Sequence, residues 1–212
     1  MTKTAALFDL DGTLVDTIEL IMQSMEFAFR DFDGRKPTRE EWLLGLGITL
    51  RVQISQWARS QAEHDWLIAR YRIYQGEHQE RMTAAYPGVA EVLDELRANG
   101  HPMAIVTSKF HALTLRVLRQ VNFHTHFGAV IAGDSIENPK PHPEPVLKAL
   151  TDLGHTGRAV FVGDSPHDIR AGNAAGIMTA AAMWGPFSRD HLISAEPTHW
   201  LATIRDLPGI LA

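Results

Sequence analysis

Apolar residues in this chain change their spacing twice. Ala5-Ala6-Leu7-Phe8 form an unbroken run of a length that suits a strand buried on both faces. Past Thr13 the period lengthens to about 3.6 residues. Ile18, Ile21, Met22, Met25 and Phe29 then share one side of a helix predicted over 16–31. Asp33-Gly34 and Pro37 break it. Thr38 and Glu41 have the spacing of a capping box, opening a short helix with Trp42 and Leu43. Gly45-Leu46-Gly47 interrupts the pattern. Thr49 stands as the cap of a helix that carries Val52, Ile54 and Trp57 toward Arg59. Another helical stretch covers 63–81. Between 16 and 85 the pattern predicts helices and no strand.

Tyr86-Pro87-Gly88 marks a boundary, after which short apolar runs alternate with amphipathic stretches. Strands are predicted at 103–106, 129–132, 159–162 and 179–183. Helices are predicted at 89–99, with Gly100 past the end, and at 111–121, 143–153, 168–175 and 204–211. Strands without polar interruption, separated by helices, form a parallel sheet covered on both faces. The expected fold class is α/β, with a helical insert at 16–85.

Composition narrows the function classes. The 212 residues are enough for one large domain or a core with a smaller insert, and 45% are hydrophobic, as a packed core requires. A net charge of -5 without a basic run argues against nucleic acid or an anionic membrane as partner. Cys is absent, which excludes disulfides, thiolate ligands and a Cys nucleophile. The first apolar run is short and leads directly into Asp9 and Asp11, unlike a secretory leader, so a cytoplasmic protein is expected.

Strand ends carry the candidate chemistry. In open α/β sheets, ligands bind beyond the carboxyl ends of the strands. The first strand runs into Asp9-Leu10-Asp11-Gly12-Thr13, where an extended backbone would turn both carboxylates to one side. A later strand ends at Thr107-Ser108-Lys109, and another at Gly163-Asp164-Ser165 with Asp168 one helical turn on. Lys140 stands between Pro139 and Pro141. Asp9, Asp11, Asp164 and Asp168 form a set that a hard divalent cation such as Mg²⁺ would neutralise, leaving one carboxylate to attack. Lys140, the Thr and Ser hydroxyls and the backbone N–H groups of the Asp11–Thr13 turn suit a phosphoryl group. Asp9 would attack phosphorus, and Asp11 would protonate the leaving oxygen and then take a proton from water. The common alternative for the first segment is a strand followed by an ordinary Asp-Gly turn.

In this order, Asp9-Leu10-Asp11-Gly12-Thr13, Thr107, Lys140 within Lys-Pro-His-Pro-Glu-Pro, and Gly163-Asp164-Ser165 with Asp168 resemble the four motifs of the haloacid dehalogenase (HAD) superfamily. The resemblance implies a Rossmann-like parallel core, with the first strand central, from residues 1–15 and 86–212. It implies a small helical cap at 16–85. It makes Asp9 the nucleophile and Asp11 the acid/base, with Thr107 and Lys140 on the phosphoryl group. Asp9, Asp11 through its carbonyl, and Asp164 would hold Mg²⁺, with Asp168 supporting. Tyr86-Pro87-Gly88-Val89, Thr107-Ser108-Lys109 and Met183-Trp184-Gly185 are most similar to the phosphoglycolate phosphatases, and a related pyrophosphatase branch looks much the same. Phosphomutases share the four motifs. The carboxylate at Asp11 argues against dehalogenation. The implied enzyme is a Mg²⁺-dependent phosphatase of small phosphorylated anions, 2-phosphoglycolate foremost, working as a monomer or homodimer with no nucleic-acid or membrane partner.

Several residues have blander readings. In the loop 45–50 before it, the insert would face the site, and Arg51 is either a substrate contact or an ordinary surface Arg. His124 and His126 flank Thr125 without a third ligand at zinc spacing and read as a solvated loop. His167 is expected in a variable loop, and His142 only decorates its own. Trp42, Trp57 and Trp66 read as packing within the insert. Ser108 and Lys109 lack an oriented His–Asp pair, so Ser108 shapes the phosphate loop rather than acting as a nucleophile. The segments 12–16 and 84–88 are the expected hinges.

Overall fold

The computed structural model describes residues 2–211. The first half of the chain gives β1 (Ala5–Phe8), β2 (Val15–Asp16), α1 (Ile18–Phe29), α2 (Arg39–Leu44), α3 (Leu50–Ser55), α4 (Gln61–His78) and β3 (Ala84–Ala85). The second half gives α5 (Val89–Ala98), β4 (Met103–Val106), α6 (His111–Gln120), β5 (Ala129–Ile131), α7 (Glu144–Asp152) and β6 (Ala159–Gly163). It continues with α8 (Pro166–Ala174), β7 (Met178–Ala182), α9 (Arg189–Ile193), β8 (His199–Leu201), a 3₁₀ turn at Ile204–Asp206 and α10 (Leu207–Leu211). No described helix is long and apolar enough to cross a membrane.

Six strands form one sheet in the order β5-β4-β1-β6-β7-β8, and every neighbouring pair is parallel. This is the α/β, Rossmann-like sheet expected from the sequence, with β1 between β4 and β6. Period two divides β1 between the faces. Ala6 and Phe8 join the cluster under α5, α6 and α10, while Ala5 and Leu7 join the one under α7 and α8. Residue α5 positions Val89, Val92, Leu93 and Leu96 recur at helical spacing and are all buried against the first face.

Helices α1 to α4 surround an apolar cluster of their own, built on Phe29, Trp42, Ile54, Leu67 and Tyr71. The Phe29 ring meets Phe32, Trp42 and Trp57 edge-on, with centroids 5.6, 5.9 and 6.5 Å away. The segment joins the sheet through a narrow neck. There β2 and β3 pair antiparallel, Val15 opposite Ala85 and Asp16 opposite Ala84.

The structure departs from the sequence reading at several points. Strands do occur at the edges of 16–85, but two residues each are too short to show a period. Thr49 occupies the cap position of α3, yet its side chain accepts no capping bond. That helix stops at Ser55, and Val52 is exposed rather than packed. Elements α9 and β8 were not anticipated; one is barely more than a turn and the other is half-buried at the sheet edge.

Leu93 is fully buried between α5 and the sheet. Leu93→Ala should lower the unfolding free energy by about 2–5 kcal/mol, read from the urea midpoint at unchanged slope. A change below about 0.5 kcal/mol would refute this packing.

Candidate active site

The polar residues predicted at strand ends meet at the carboxyl edge of the sheet. After β1 the Asp9 N–H still donates to the Val162 carbonyl at 2.9 Å, so Asp9 extends the strand by one pairing. The chain then turns sharply at Gly12, whose φ is +85°. A Cβ there would lie 2.6 Å from an Asp164 carboxylate oxygen, so both conformation and space require glycine. Thr107 to Lys109 follow β4, Asp164 and Ser165 follow β6, and Lys140 comes from the loop before α7. Asp9, Asp11, Thr107, Ser108, Lys140 and Asp164 line a single cavity of about 320 Å³, closed on its other side by residues 46–51. Thr13 stands behind the wall and donates its hydroxyl to Asp164 Oδ1 at 2.7 Å.

Lys140 organises the centre. Its Nζ donates to Asp9 Oδ1 at 2.9 Å and to Asp168 Oδ1 at 2.6 Å, with the Lys140 and Asp168 side chains essentially excluded from solvent. Asp168 has a second task. Its Oδ2 accepts from the Ser165 N–H at 3.0 Å and the Ser165 hydroxyl at 2.6 Å, completing a capping box at the start of α8. Both Asp168 oxygens are thus engaged. By contrast, Asp9 Oδ2 and Asp164 Oδ2 accept no hydrogen bond from any described residue.

The charges do not balance among themselves. Asp9, Asp164 and Asp168 place carboxylate oxygens within 4.8 Å of one another, against one ammonium. Burial raises the Asp9 carboxyl to about 7; Lys140 opposes this and Asp168 adds to it. Asp164 is also pushed well above the ordinary carboxylate range, first by burial and then by Asp168 and Asp9. The neighbouring carboxylates hold Lys140 firmly protonated despite its burial. Two buried carboxylates, each with a free oxygen and an excess of negative charge, fit a hard divalent cation.

Asp11 is placed differently. Its carboxylate lies outside the three-carboxylate cluster and accepts from Lys109 Nζ at 2.9 Å on both oxygens and from the Thr17 hydroxyl at 2.7 Å. Lys109 is the site residue that sequence reasoning missed. Its one signal was its position, two residues past Thr107 at a strand end. Trp184 was missed as well: its indole N–H donates to the Thr13 carbonyl at 2.9 Å and steadies the turn. Ser108 donates to the Gly47 carbonyl at 2.5 Å, linking the strand-end loop to the helical segment.

Among the remaining candidates, Arg51 lines the cavity and faces solvent. His167 is half-buried against Gly47, with Nδ1 unpartnered among the described residues, and burial lowers its pKa. The expected solvated pair divides. His124 is exposed, whereas the His126 side chain is packed beside Phe123 and Phe127 and meets Asp94 at 2.9 Å. His142 stays exposed and accepts from the Glu144 N–H. None of Trp42, Trp57 and Trp66 lines the cavity; Trp42 and Trp57 pack in the helical segment, and Trp66 is 40% exposed.

Residues 6–182 match the family described as haloacid dehalogenase-like hydrolase. The chain is 34% identical over 212 residues to pyrophosphatase PpaX of Anoxybacillus flavithermus, covering all of this chain and 98% of that one. It is 36% identical over 205 residues to pyrophosphatase PpaX of Bacillus velezensis, covering 96% and 94%. Its fold superposes with a TM-score of 0.89 on a protein from Haemophilus somnus described as a predicted phosphoglycolate phosphatase, at 24% identity and 100% and 99% coverage. A hydrolase from Pseudomonas syringae gives the same TM-score at 17% identity, covering 99% and 100%. At these identities the structural likenesses speak for the fold.

The raised carboxyl values carry a sign. Asp9 binds its proton more tightly folded than unfolded, so its contribution to stability is full below 3.8 and is lost as pH rises through about 7. Asp164→Asn keeps an oxygen acceptor for Thr13 and removes one buried charge. In chelator at about pH 8 it should therefore raise Tm, by about 2–4 °C for each kcal/mol of repulsion relieved. Near pH 4.5 the gain should shrink. A lower Tm for the variant at both pH values would contradict this electrostatic account.

Proposed function

The chain belongs to the haloacid dehalogenase-like hydrolases, and from that premise we propose that it is a phosphatase of a small phosphate monoester, 2-phosphoglycolate foremost. The observation that carries this reading is the Asp9 carboxylate, buried in the cavity wall and held by Lys140 at 2.9 Å. Asp9 attacks phosphorus, forming a new P–O bond while the bond to the leaving alcohol breaks. Asp11 gives that oxygen a proton and then accepts one from the water that attacks the aspartyl-phosphate. Inorganic phosphate leaves and Asp9 is regenerated. Thr107, Ser108 and the N–H groups at Gly12 and Thr13 bind the phosphoryl oxygens, and Lys140 offsets their charge while orienting Asp9.

Asp9 and Asp164 would hold Mg²⁺ through their free oxygens, with the Asp11 carbonyl beside them and Asp168 supporting through Lys140 and Ser165. The ion supplies Lewis-acid neutralisation of the phosphoryl charge. In this reading residues 16–85 are a helical cap over a core of 1–15 and 86–212. The separate apolar cluster and the paired β2–β3 neck support that division. Closure of such a cap expels water from the site. The absence of Cys and the charge of -5 support a cytoplasmic enzyme, monomer or homodimer, without nucleic-acid or membrane partners.

A second reading is hydrolysis of inorganic pyrophosphate, favoured by the name of the relatives at 34 and 36% identity. Phosphate release from 2-phosphoglycolate and from pyrophosphate, measured side by side, decides between them. Formation of an isomeric sugar phosphate without net phosphate release would instead reveal a mutase.

Asp9→Asn should reduce turnover by about 10³-fold or more with an unchanged circular dichroism spectrum. Wild-type rates in that variant would remove Asp9 from the role of nucleophile. Chelator should abolish phosphate release and Mg²⁺ should restore it, while Mg²⁺ should raise the Tm of the wild type far more than that of Asp164→Asn. Activity surviving exhaustive chelation would overturn the metal requirement.

A further inference from the structure

Four basic side chains line the cavity: Arg51, Arg72, Lys109 and Lys140. The two lysines are satisfied, Lys109 by Asp11 and Lys140 by Asp9 and Asp168. The two arginines are not. Among the described residues neither guanidinium has a carboxylate within ion-pair distance or any side-chain hydrogen bond. The acidic groups that reach them act only through space, Asp65 on Arg51 and Asp134 on Arg72.

Arg72 is nonetheless held in place. Its guanidinium lies 4.4 Å from the centroid of the Phe110 ring, a contact between α4 and the residue that opens α6. A guanidinium over an aromatic ring keeps the N–H donors around its rim free. Burial lowers the Arg72 pKa first, and repulsion by Arg51 lowers it further, so the two cations sense each other. Two like charges without a counter-ion, one immobilised, at the helical wall of a cavity whose opposite wall is acidic, make a poor packing arrangement and a good anion clamp.

The geometry points to Arg51 and Arg72 as a second anion subsite, which binds the substrate's other negatively charged group while its phosphoryl group lies at Asp9. This rests on the phosphatase reading and deepens it. The substrate class is a short molecule with two anionic ends, one of them phosphoryl. A carboxylate and a second phosphate share the required chemistry, planar or tetrahedral oxyanions that accept two N–H bonds from each guanidinium. The aliphatic walls at Leu46, Ile48 and Leu113 leave the middle of the molecule with little to hydrogen-bond.

The test compares 2-phosphoglycolate and pyrophosphate with ethyl phosphate, which lacks the second anion. The readout is the ratio of kcat/KM for each doubly anionic substrate to that for ethyl phosphate. Arg51→Gln and Arg72→Gln leave no carboxylate unpaired, so both variants should fold. Each should lower the ratio by about 10-fold or more, chiefly through KM. A larger fall for pyrophosphate than for 2-phosphoglycolate identifies a second phosphate as the occupant, and the reverse identifies a carboxylate. Equal losses on all substrates, or an unchanged ratio, would overturn the subsite while leaving the phosphatase standing. If the wild type releases phosphate from none of them, the proposed function fails. In that case calorimetric binding of pyrophosphate and of 2-phosphoglycolate to Asp9→Asn still judges the subsite. Tight binding lost in Arg72→Gln upholds it, and identical affinity with and without Arg72 refutes it.

Discussion

An ammonium group withdrawn from water costs several kcal/mol unless carboxylates surround it. In this fold Lys140 is 1% exposed and reaches Asp9 from one strand end and Asp168 from the helix after another. That one side chain ties together three separated stretches of sequence. Asp168 in turn caps α8 through Ser165, so the orientation of a helix and the position of a cation depend on the same carboxylate. The residual negative charge is what makes the cluster suited to a cation. The centre is therefore under-neutralised by construction, and the apolar strands that bury it convert that deficit into affinity.

Sheet and helices were legible because each obeyed a single period. AALF at the first strand, MAIV at β4 and AVFV in β6 are apolar without interruption, and buried strands in a parallel sheet need nothing else. The capping box at Thr38 and Glu41 formed as its spacing implied. The pieces that escaped notice are those too short for any period: β2, β3, β8 and the single turn of α9. Their pairing partners lie far along the chain, and local sequence carries no record of a partner. Val52 and Thr49 failed for a related reason. They satisfy a local pattern, but the wall of a cavity needed that helix to present another face.

At the site, strand-end positions brought Asp9, Thr107, Lys140 and Asp164 together without further help. What the sequence left out was the arrangement of side chains among themselves. Asp11 sits one residue beyond Asp9's neighbour, yet it turns to Lys109 and Thr17 rather than joining the cluster. Nothing in the order of letters distinguishes a lysine aimed inward from one aimed at water. The same holds for Arg72, an unremarked position in a long helix until Phe110 comes to lie beneath it.

The neck formed by β2 and β3 has a wider consequence. Because the chain departs for the helices and comes back at adjacent, hydrogen-bonded residues, everything from 17 to 83 hangs from the sheet as a closed loop. Neither the register of the six parallel strands nor the meeting of their carboxyl ends depends on what that loop contains. Lineages can therefore exchange, lengthen or remodel the pendant part without disturbing the chemistry beneath it, so substrate choice and bond cleavage are free to evolve at different speeds.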